Sequence, residues 1–191
     1  MIESAVRMRR WSRVEYDSLI ETGFFGPSDK IELLGGQLCV SEPQNSPHVR
    51  AISLGLETIQ RALAPGWHVR VQLPIALDDE SEPEPDLAVV SGGPRDYADH
   101  PSRPALVVEV ADSSLALDRE HKGSLYARAS LPEYWIVNLV DRVLEVHREP
   151  GLDAGAQYGW AYRVRLTLRA DEHVTPLAAP STRILAADFL P

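Results

Sequence analysis

Apolar residues recur at helical spacing in the second quarter of the chain. Between Ile52 and Leu63 they follow one another at intervals of three and four residues, which is the spacing of one apolar helix face. Ser46 and Pro47 precede this segment, and proline is well tolerated in the first turn of a helix. Pro65 follows the last apolar position. The pattern therefore predicts a helix that has Ser46 as its N-cap and ends before Pro65.

The N-terminal segment predicts a shorter helix followed by a tight hairpin. Ser12 and Glu15 have the spacing of a capping box and predict a helix through about Ile20. The apolar segments on either side of Gly35 and Gly36 have the pattern of two short strands joined by a turn.

The rest of the chain is dominated by short apolar segments typical of strands. Residues 105–111 form the most hydrophobic of them, which indicates a central position in a sheet. A helix is predicted over residues 118–129, with Pro132 just beyond its end. The other predicted strands cover residues 67–77, 87–90, 134–140, 142–147 and 162–168, and a short segment around Ile184.

The order of these elements predicts an α/β fold in which helices flank a mixed central sheet. A length of 191 residues fits one domain over residues 1–191. Within it we expect an N-terminal helix and hairpin (1–45), a core (46–140) and extra C-terminal strands (141–191). No Gly-rich phosphate-binding loop of the Walker or Rossmann type is present.

Composition and charge narrow the possible functions. The single cysteine, Cys39, excludes an internal disulfide and a zinc site built on several cysteines. No apolar stretch approaches the roughly 20 residues of a membrane span, and the N-terminus lacks the apolar core of a signal peptide, so we expect a cytoplasmic protein with no membrane partner. A net charge of −9 disfavours nucleic-acid binding by bulk charge alone, but it leaves room for a local basic cleft or a metal-bridged phosphate site.

Two carboxylates are the strongest candidates for catalytic chemistry. Asp86 directly precedes the strand that begins at Leu87, and Glu109 lies inside the apolar segment 105–111, where an unpaired charge would cost several kcal/mol. If the two strands are neighbours, the carboxylates lie close together and repel one another unless a proton or a cation intervenes. A hard divalent cation such as Mg²⁺ prefers oxygen ligands and suits phosphodiester hydrolysis.

A lysine on the next helix is a candidate to act with them. Only two of the 19 basic residues are lysines, Lys30 and Lys122, so the other 17 are arginines. Lysine and arginine are not equivalent at a reaction centre, and Lys122 could stabilise developing negative charge or orient a water molecule. Its helical neighbours Arg119 and Tyr126 are possible accessory residues. Glu32 and His48 are further candidates to join the site.

Several of these segments, in this order, resemble the Uma-two family of restriction-endonuclease-like proteins, part of the PD-(D/E)xK nuclease superfamily. The resemblance rests on residues 84–90, 104–110, 118–126 and 132–138, and it extends from 31–34 and 46–48 to the closing 189–190. It implies a restriction-endonuclease-like core and a nuclease that depends on Mg²⁺, with Mn²⁺ as a substitute.

The resemblance also implies roles for individual residues. Asp86 and Glu109 would hold the metal, with the backbone carbonyl of Val110 as a third ligand, and Glu32 would take the acidic position contributed by the N-terminal part. The superfamily pattern places its lysine two residues after the glutamate, where this chain has Ala111. Lys122 is then the substitute, as in the pattern of this family.

The leading hypothesis is an endonuclease that cleaves DNA, with a homodimer as the arrangement that would cut both strands. Two alternatives stay open. One is a non-catalytic binding module on a nuclease-like fold, and the other is a metal-dependent hydrolase of a small phosphorylated substrate. An arginine-lined groove at the Asp86–Glu109 pair would favour nucleic acid, a closed small pocket would favour the small substrate, and a dispersed site would favour the non-catalytic module.

Overall fold

The computed structural model describes residues 8–26, 29–41 and 43–191. Its centre is a mixed six-stranded sheet in the order β3-β4-β5-β6-β7-β8. The strands are β3 (Trp67–Val71), β4 (Leu87–Ser91), β5 (Leu106–Ala111), β6 (Glu133–Asn138), β7 (Val143–Leu152) and β8 (Trp160–Leu168). Only β5 and β6 pair in parallel, and the other neighbours are antiparallel. The predicted mixed α/β fold is confirmed.

Helices cover both faces of this sheet. On one face α2 (Ser46–Ala62) and a 3₁₀ turn at Ala186–Phe189 pack against alternate residues of the strands, including Val108 and Trp135. On the other face α3 (Gly123–Arg128) packs against the intervening residues, including Val107 and Tyr134. Because side chains alternate along a strand, one buried strand supplies both cores.

The N-terminal segment forms the predicted helix and hairpin. Helix α1 (Arg13–Glu21) begins after Ser12 with a complete capping box to Glu15. The hairpin consists of β1 (Ile31–Leu34) and β2 (Gln37–Val40). Gly35 and Gly36 both have positive φ, at 55° and 79°, which glycine adopts without strain. Two more short strands, β9 (His173–Val174) and β10 (Ile184–Leu185), pair near the C-terminus.

Several element boundaries differ from the sequence-based expectation, and for two of them the structure shows the cause. The strand predicted over residues 67–77 ends at Val71, because Gln72 has a φ of 49° and Pro74 lacks a backbone donor. The residue that caps α2 is Asn45 rather than Ser46, because the Asn45 side-chain oxygen accepts a hydrogen bond from the backbone N–H of His48. None of the described helices is long and apolar enough to cross a membrane.

Candidate active site

The register of β4 and β5 brings Asp86 and Glu109 together. Leu87 pairs with Val108 in this antiparallel ladder, so the next position outward sets Asp86 opposite Glu109. The backbone N–H of Asp86 donates to Oε2 of Glu109 at 3.3 Å. The backbone N–H of Val110 donates to Oδ2 of Asp86 at 2.8 Å. Both carboxylates are buried, and they face the same cavity where β4 begins and β5 ends.

Lys122 lies between two carboxylates. Its Nζ atom is 3.0 Å from Oε1 of Glu109 and 3.1 Å from Oε2 of Glu32. Glu32 projects from β1 and also accepts a hydrogen bond from the hydroxyl of Ser41 at 3.0 Å. All three ionisable groups are buried. The hairpin, the central sheet and the segment before α3 thus each supply one member of this cluster.

A π-helical turn at Leu117–Lys122 precedes α3 and determines where its basic residues lie. Such a turn holds more residues than an α-turn and is frequent at functional sites. It directs Lys122 into the cavity, whereas the guanidinium group of Arg119 makes a bidentate contact with Glu145 on β7. Arg119 is not among the described residues that line the cavity.

Tyr126 lies one turn beyond Lys122 and contacts the same carboxylate. Its hydroxyl donates to Oε1 of Glu109 at 2.6 Å. Its ring is fully buried, 4.9 Å from the ring of Tyr134 between centroids. Tyr126 is therefore both a core aromatic residue and a hydrogen-bond donor to the site.

Three side chains converge on Asp86 from the other side. Nε2 of His48, in the first turn of α2, lies 3.3 Å from the Asp86 carboxylate. The side-chain amides of Gln44 and Gln72 donate to Oδ1 of Asp86 at 3.4 Å and 3.2 Å. The two glutamines were not among the candidates from sequence, since a single uncharged glutamine carries no distinctive pattern. Only the pairing of β3 with β4, which sets Gln72 beside Asp86, could have indicated one of them.

Asp118 is a further buried carboxylate that the sequence analysis missed. It lies in the π-helical turn and accepts a hydrogen bond from the hydroxyl of Ser114 at 2.6 Å. Its polar neighbours in sequence made it look like an ordinary exposed helix residue. Its position beside Lys122 adds a third negative group to the electrostatic environment of that lysine.

Burial and charge shift the protonation equilibria of this cluster. Burial raises the pKa of Glu109 to about 8, although Lys122 opposes the shift. Burial likewise raises the pKa of Asp118 to about 6, again against Lys122. Burial alone would lower the pKa of Lys122, but the carboxylates of Glu109, Glu32 and Asp118 raise it well above its usual value. The cluster therefore keeps its lysine charged and resists full ionisation of its carboxyl groups.

The cavity in front of these groups measures about 550 Å³ and is strongly acidic. Among the described lining residues, the acidic ones are Glu32, Glu84, Asp86, Glu109, Asp112 and Asp118. The lysines and histidine among them are Lys30, Lys122 and His48. No arginine is among the described residues that line it. The arginine-lined groove that would have favoured nucleic acid therefore does not reach the Asp86–Glu109 pair in the described part of the chain.

The donor set suits a hard divalent cation. No three His, Cys, Asp or Glu side chains in the described ranges are arranged to enclose a metal ion. Magnesium requires fewer than three such protein ligands, because it is usually bound by one or two carboxylates and retains several water molecules. Asp86 and Glu109 supply two carboxylates that face one solvent-accessible cavity. The oxygen chemistry and the number of ligands therefore fit Mg²⁺.

Comparisons with known proteins agree with this architecture. The family model "Uma2: Putative restriction endonuclease" matches residues 13–181. A crystal structure from Anabaena variabilis ATCC 29413, described as a "putative nuclease belonging to DUF820", is similar to the chain with a TM-score of 0.68. The two sequences are 15% identical, and the similarity covers 92% of this chain and 95% of that one. The search of curated proteins gives no match.

Proposed function

Because the chain belongs to the Uma2 family of restriction-endonuclease-like proteins, we propose that it is a nuclease that hydrolyses phosphodiester bonds in DNA with the help of Mg²⁺. One observation carries the proposal. Two buried carboxylates, Asp86 and Glu109, face each other across neighbouring strands, and Lys122 lies within hydrogen-bond distance of one of them. A carboxylate pair with an adjacent lysine is suited to metal-assisted hydrolysis of a phosphate ester.

Asp86 and Glu109 are the proposed metal ligands, and the backbone carbonyl of Val110 is the proposed third. A bound Mg²⁺ would supply an activated water and neutralise charge on the phosphate. The backbone N–H of Val110 orients Asp86, and the hydroxyl of Tyr126 orients Glu109. These two hydrogen bonds restrict the orientation of the two carboxylates that line the cavity.

Lys122 is the proposed electrostatic group of the site. Its ammonium group is held between Glu109 and Glu32, so its position is fixed before a substrate binds. A fixed positive charge in a buried site stabilises negative charge that develops during hydrolysis more strongly than the same charge in water. Glu32 assists by holding Nζ in place, and its contact with Ser41 in turn holds Glu32.

His48 is the proposed accessory residue at the cavity opening. Its ring is close to Asp86 and partly exposed, so it can reach both the carboxylate and solvent. Such a position suits a group that passes a proton to or from a bound molecule.

A second function is favoured by the lining of the cavity. The absence of arginine from its described lining residues and its volume of about 550 Å³ suit a small phosphorylated substrate better than a long duplex. A metal-dependent hydrolase of such a substrate would use the same carboxylates and lysine. The non-catalytic alternative has less support, because the candidate residues converge in one cavity instead of being dispersed.

The test is cleavage of supercoiled plasmid, single-stranded DNA and RNA by purified protein, with Mg²⁺, Mn²⁺ or chelator. We expect nicked or linear plasmid only with a divalent cation, and a loss of at least 100-fold in Glu109→Gln. Glu57→Gln makes the same change on the exposed side of α2 and should cleave as the wild type does. Cleavage that survives in Glu109→Gln would contradict the assigned site. Hydrolysis of a small phosphodiester without cleavage of any polynucleotide would favour the second function.

A homodimer is part of the proposal, since two symmetric sites would cut both strands of a duplex. Sedimentation velocity of the purified chain tests it directly. A sedimentation coefficient that stays at the monomer value across a hundredfold range of protein concentration would contradict it.

A further inference from the structure

Gln72 contacts Asp86 through both its backbone and its side chain. Its backbone N–H donates to the carbonyl oxygen of Asp86 at 3.1 Å. Its side-chain amide donates to Oδ1 of the same residue at 3.2 Å. Gln44 and His48 also contact Asp86, but each of them contacts its carboxylate and not its backbone. Gln72 therefore links the Asp86 carboxylate to the backbone carbonyl of the same residue, in addition to the hydrogen bond that Val110 donates to the carboxylate.

The backbone of Gln72 is unusual for a residue of its type. Its φ of 49° lies in the left-handed region, where a residue with a Cβ atom is disfavoured. Only four non-glycine residues in the described ranges have positive φ: Gln72, Ser130, Arg142 and Glu149. Gln72 is the one of the four that lines the cavity. Glycine would adopt this backbone conformation without strain. The contacts of the glutamine side chain must therefore compensate for the strain energy of the backbone at this position.

The position of Gln72 follows from the sheet. Val71 pairs with Leu87, so Gln72 stands opposite Asp86 at the point where β3 ends and β4 begins. The left-handed backbone ends the strand there, and the half-buried side chain turns toward the carboxylate. A β-strand conformation at this residue would continue the strand toward Leu73.

We propose that Gln72 is a positioning residue that holds the Asp86 carboxylate in its metal-binding orientation, at the expense of backbone strain. This inference rests on the proposed function, because it assigns Asp86 to a divalent cation. Hydrogen bonds from residues behind a ligand orient it, and their removal commonly lowers metal affinity by about 10- to 100-fold. The backbone strain and the hydrogen bond belong to the same residue. Replacing Gln72 by glycine should therefore lower metal affinity without lowering the free energy of unfolding.

The test uses Gln72→Gly, which removes the amide and relieves the strained backbone. Mn²⁺ binding is measured from the electron paramagnetic resonance signal of the free ion, and stability from urea unfolding in chelator. We expect about tenfold weaker Mn²⁺ binding. We also expect a free energy of unfolding that is not lower than that of the wild type, because the strained backbone is relieved. A residue with a merely structural role would give the opposite pattern, with reduced stability and unchanged Mn²⁺ affinity, and that result would overturn the proposal.

Glu149→Gly is the matched control. Glu149 also has positive φ, at 58°, but it is exposed on β7 and does not line the cavity. Its replacement should relieve strain without changing Mn²⁺ affinity. Equal weakening of Mn²⁺ binding in both variants would show that the effect comes from backbone flexibility, and it would overturn the assignment to the Gln72 amide.

A double-mutant cycle measured in the absence of metal distinguishes failure of this inference from failure of the proposed function. Urea unfolding in chelator is measured for Gln72→Gly, Asp86→Asn and the double variant. Coupling of the two substitutions by at least threefold in the unfolding constant is expected if Gln72 holds Asp86. Additive effects would overturn the inference even if Mn²⁺ binds. A wild-type chain that binds no Mn²⁺ but shows the coupling would overturn the metal assignment and leave the Gln72–Asp86 interaction established.

Discussion

Lys122 is a buried positive charge whose two acidic partners are also buried. Removing one member of such a cluster leaves its partners uncompensated, which typically costs about 3–5 kcal/mol. We therefore predict that Lys122→Met lowers the free energy of unfolding by about 3 kcal/mol at pH 8, measured in urea with chelator present. The loss should be smaller at pH 5.5, because the raised pKa of Glu109 lets its carboxyl group take up a proton.

The other lysine supplies the control for this experiment. Lys30 also borders the cavity, but it is exposed. Lys30→Met should change the free energy of unfolding by no more than about 0.5 kcal/mol. Equal effects of the two substitutions would mean that Lys122 is as well solvated as Lys30, contrary to its contacts with Glu32 and Glu109.

The raised pKa of Glu109 predicts how the free energy of unfolding depends on pH in the metal-free protein. Its pKa is about 8 in the folded chain, against an ordinary value of 4.5. Between these values the unfolded chain binds fewer protons than the folded one, so stability falls as pH rises. We expect the free energy of unfolding in chelator to decrease from pH 5 to pH 8, and Glu109→Gln to flatten this slope. A wild-type slope that is unchanged in Glu109→Gln would contradict the assignment.

The sequence revealed some members of the site and concealed others. Glu109 was recognisable because a carboxylate inside an apolar strand needs a partner, and Lys122 because lysine is scarce in this chain. Gln72 and Asp118 had no comparable signal. Their importance depends on strand register and on a π-helical turn, and both of these arise from tertiary packing instead of local residue preference. The same turn directs Arg119 toward Glu145, because α-helical spacing does not apply across it.

At the scale of elements, the apolar periodicity was sufficient to locate the helices and most strands. The segment 105–111 was predicted to be central, and β5 is buried along its whole length. The ends of helices and strands are less predictable from the sequence. The end of β3 depends on the conformation of Gln72, and the start of α2 depends on which of two adjacent polar residues caps it. The first depends on the backbone conformation of one residue and the second on a single hydrogen bond.

Helix α2 lies close against the sheet at Gly55, and this contact can be tested. A Cβ atom at Gly55 would lie 3.1 Å from Leu87 and 3.1 Å from Phe189, both fully buried. Alanine improves helix propensity by about 1 kcal/mol, but forcing extra volume into a packed core typically costs about 1–3 kcal/mol. We predict that Gly55→Ala lowers the midpoint of thermal unfolding. A higher midpoint would show that α2 can move away from the sheet without loss.

At the scale of the whole molecule, negative charge is the dominant feature. The chain carries a net charge of −9, and six of the described residues that line the cavity are acidic. A polyanion such as DNA is repelled by this surface unless cations neutralise it. We predict weak binding of a fluorescent duplex in chelator and at least tenfold tighter binding with Ca²⁺ at the same ionic strength, measured by fluorescence anisotropy. Equal binding in both conditions would point to a basic surface elsewhere on the chain.

The proposed function depends on the binding of a divalent cation by Asp86 and Glu109. Titration of the metal-free protein with Mn²⁺ tests this binding most directly. The free-ion resonance signal gives the number of ions bound by the wild type, Asp86→Asn, Glu109→Gln and the surface control Glu57→Gln. We predict one ion per chain in the wild type and in Glu57→Gln, and at least tenfold weaker binding in the two site variants. Binding that is equally strong in all four proteins would contradict it.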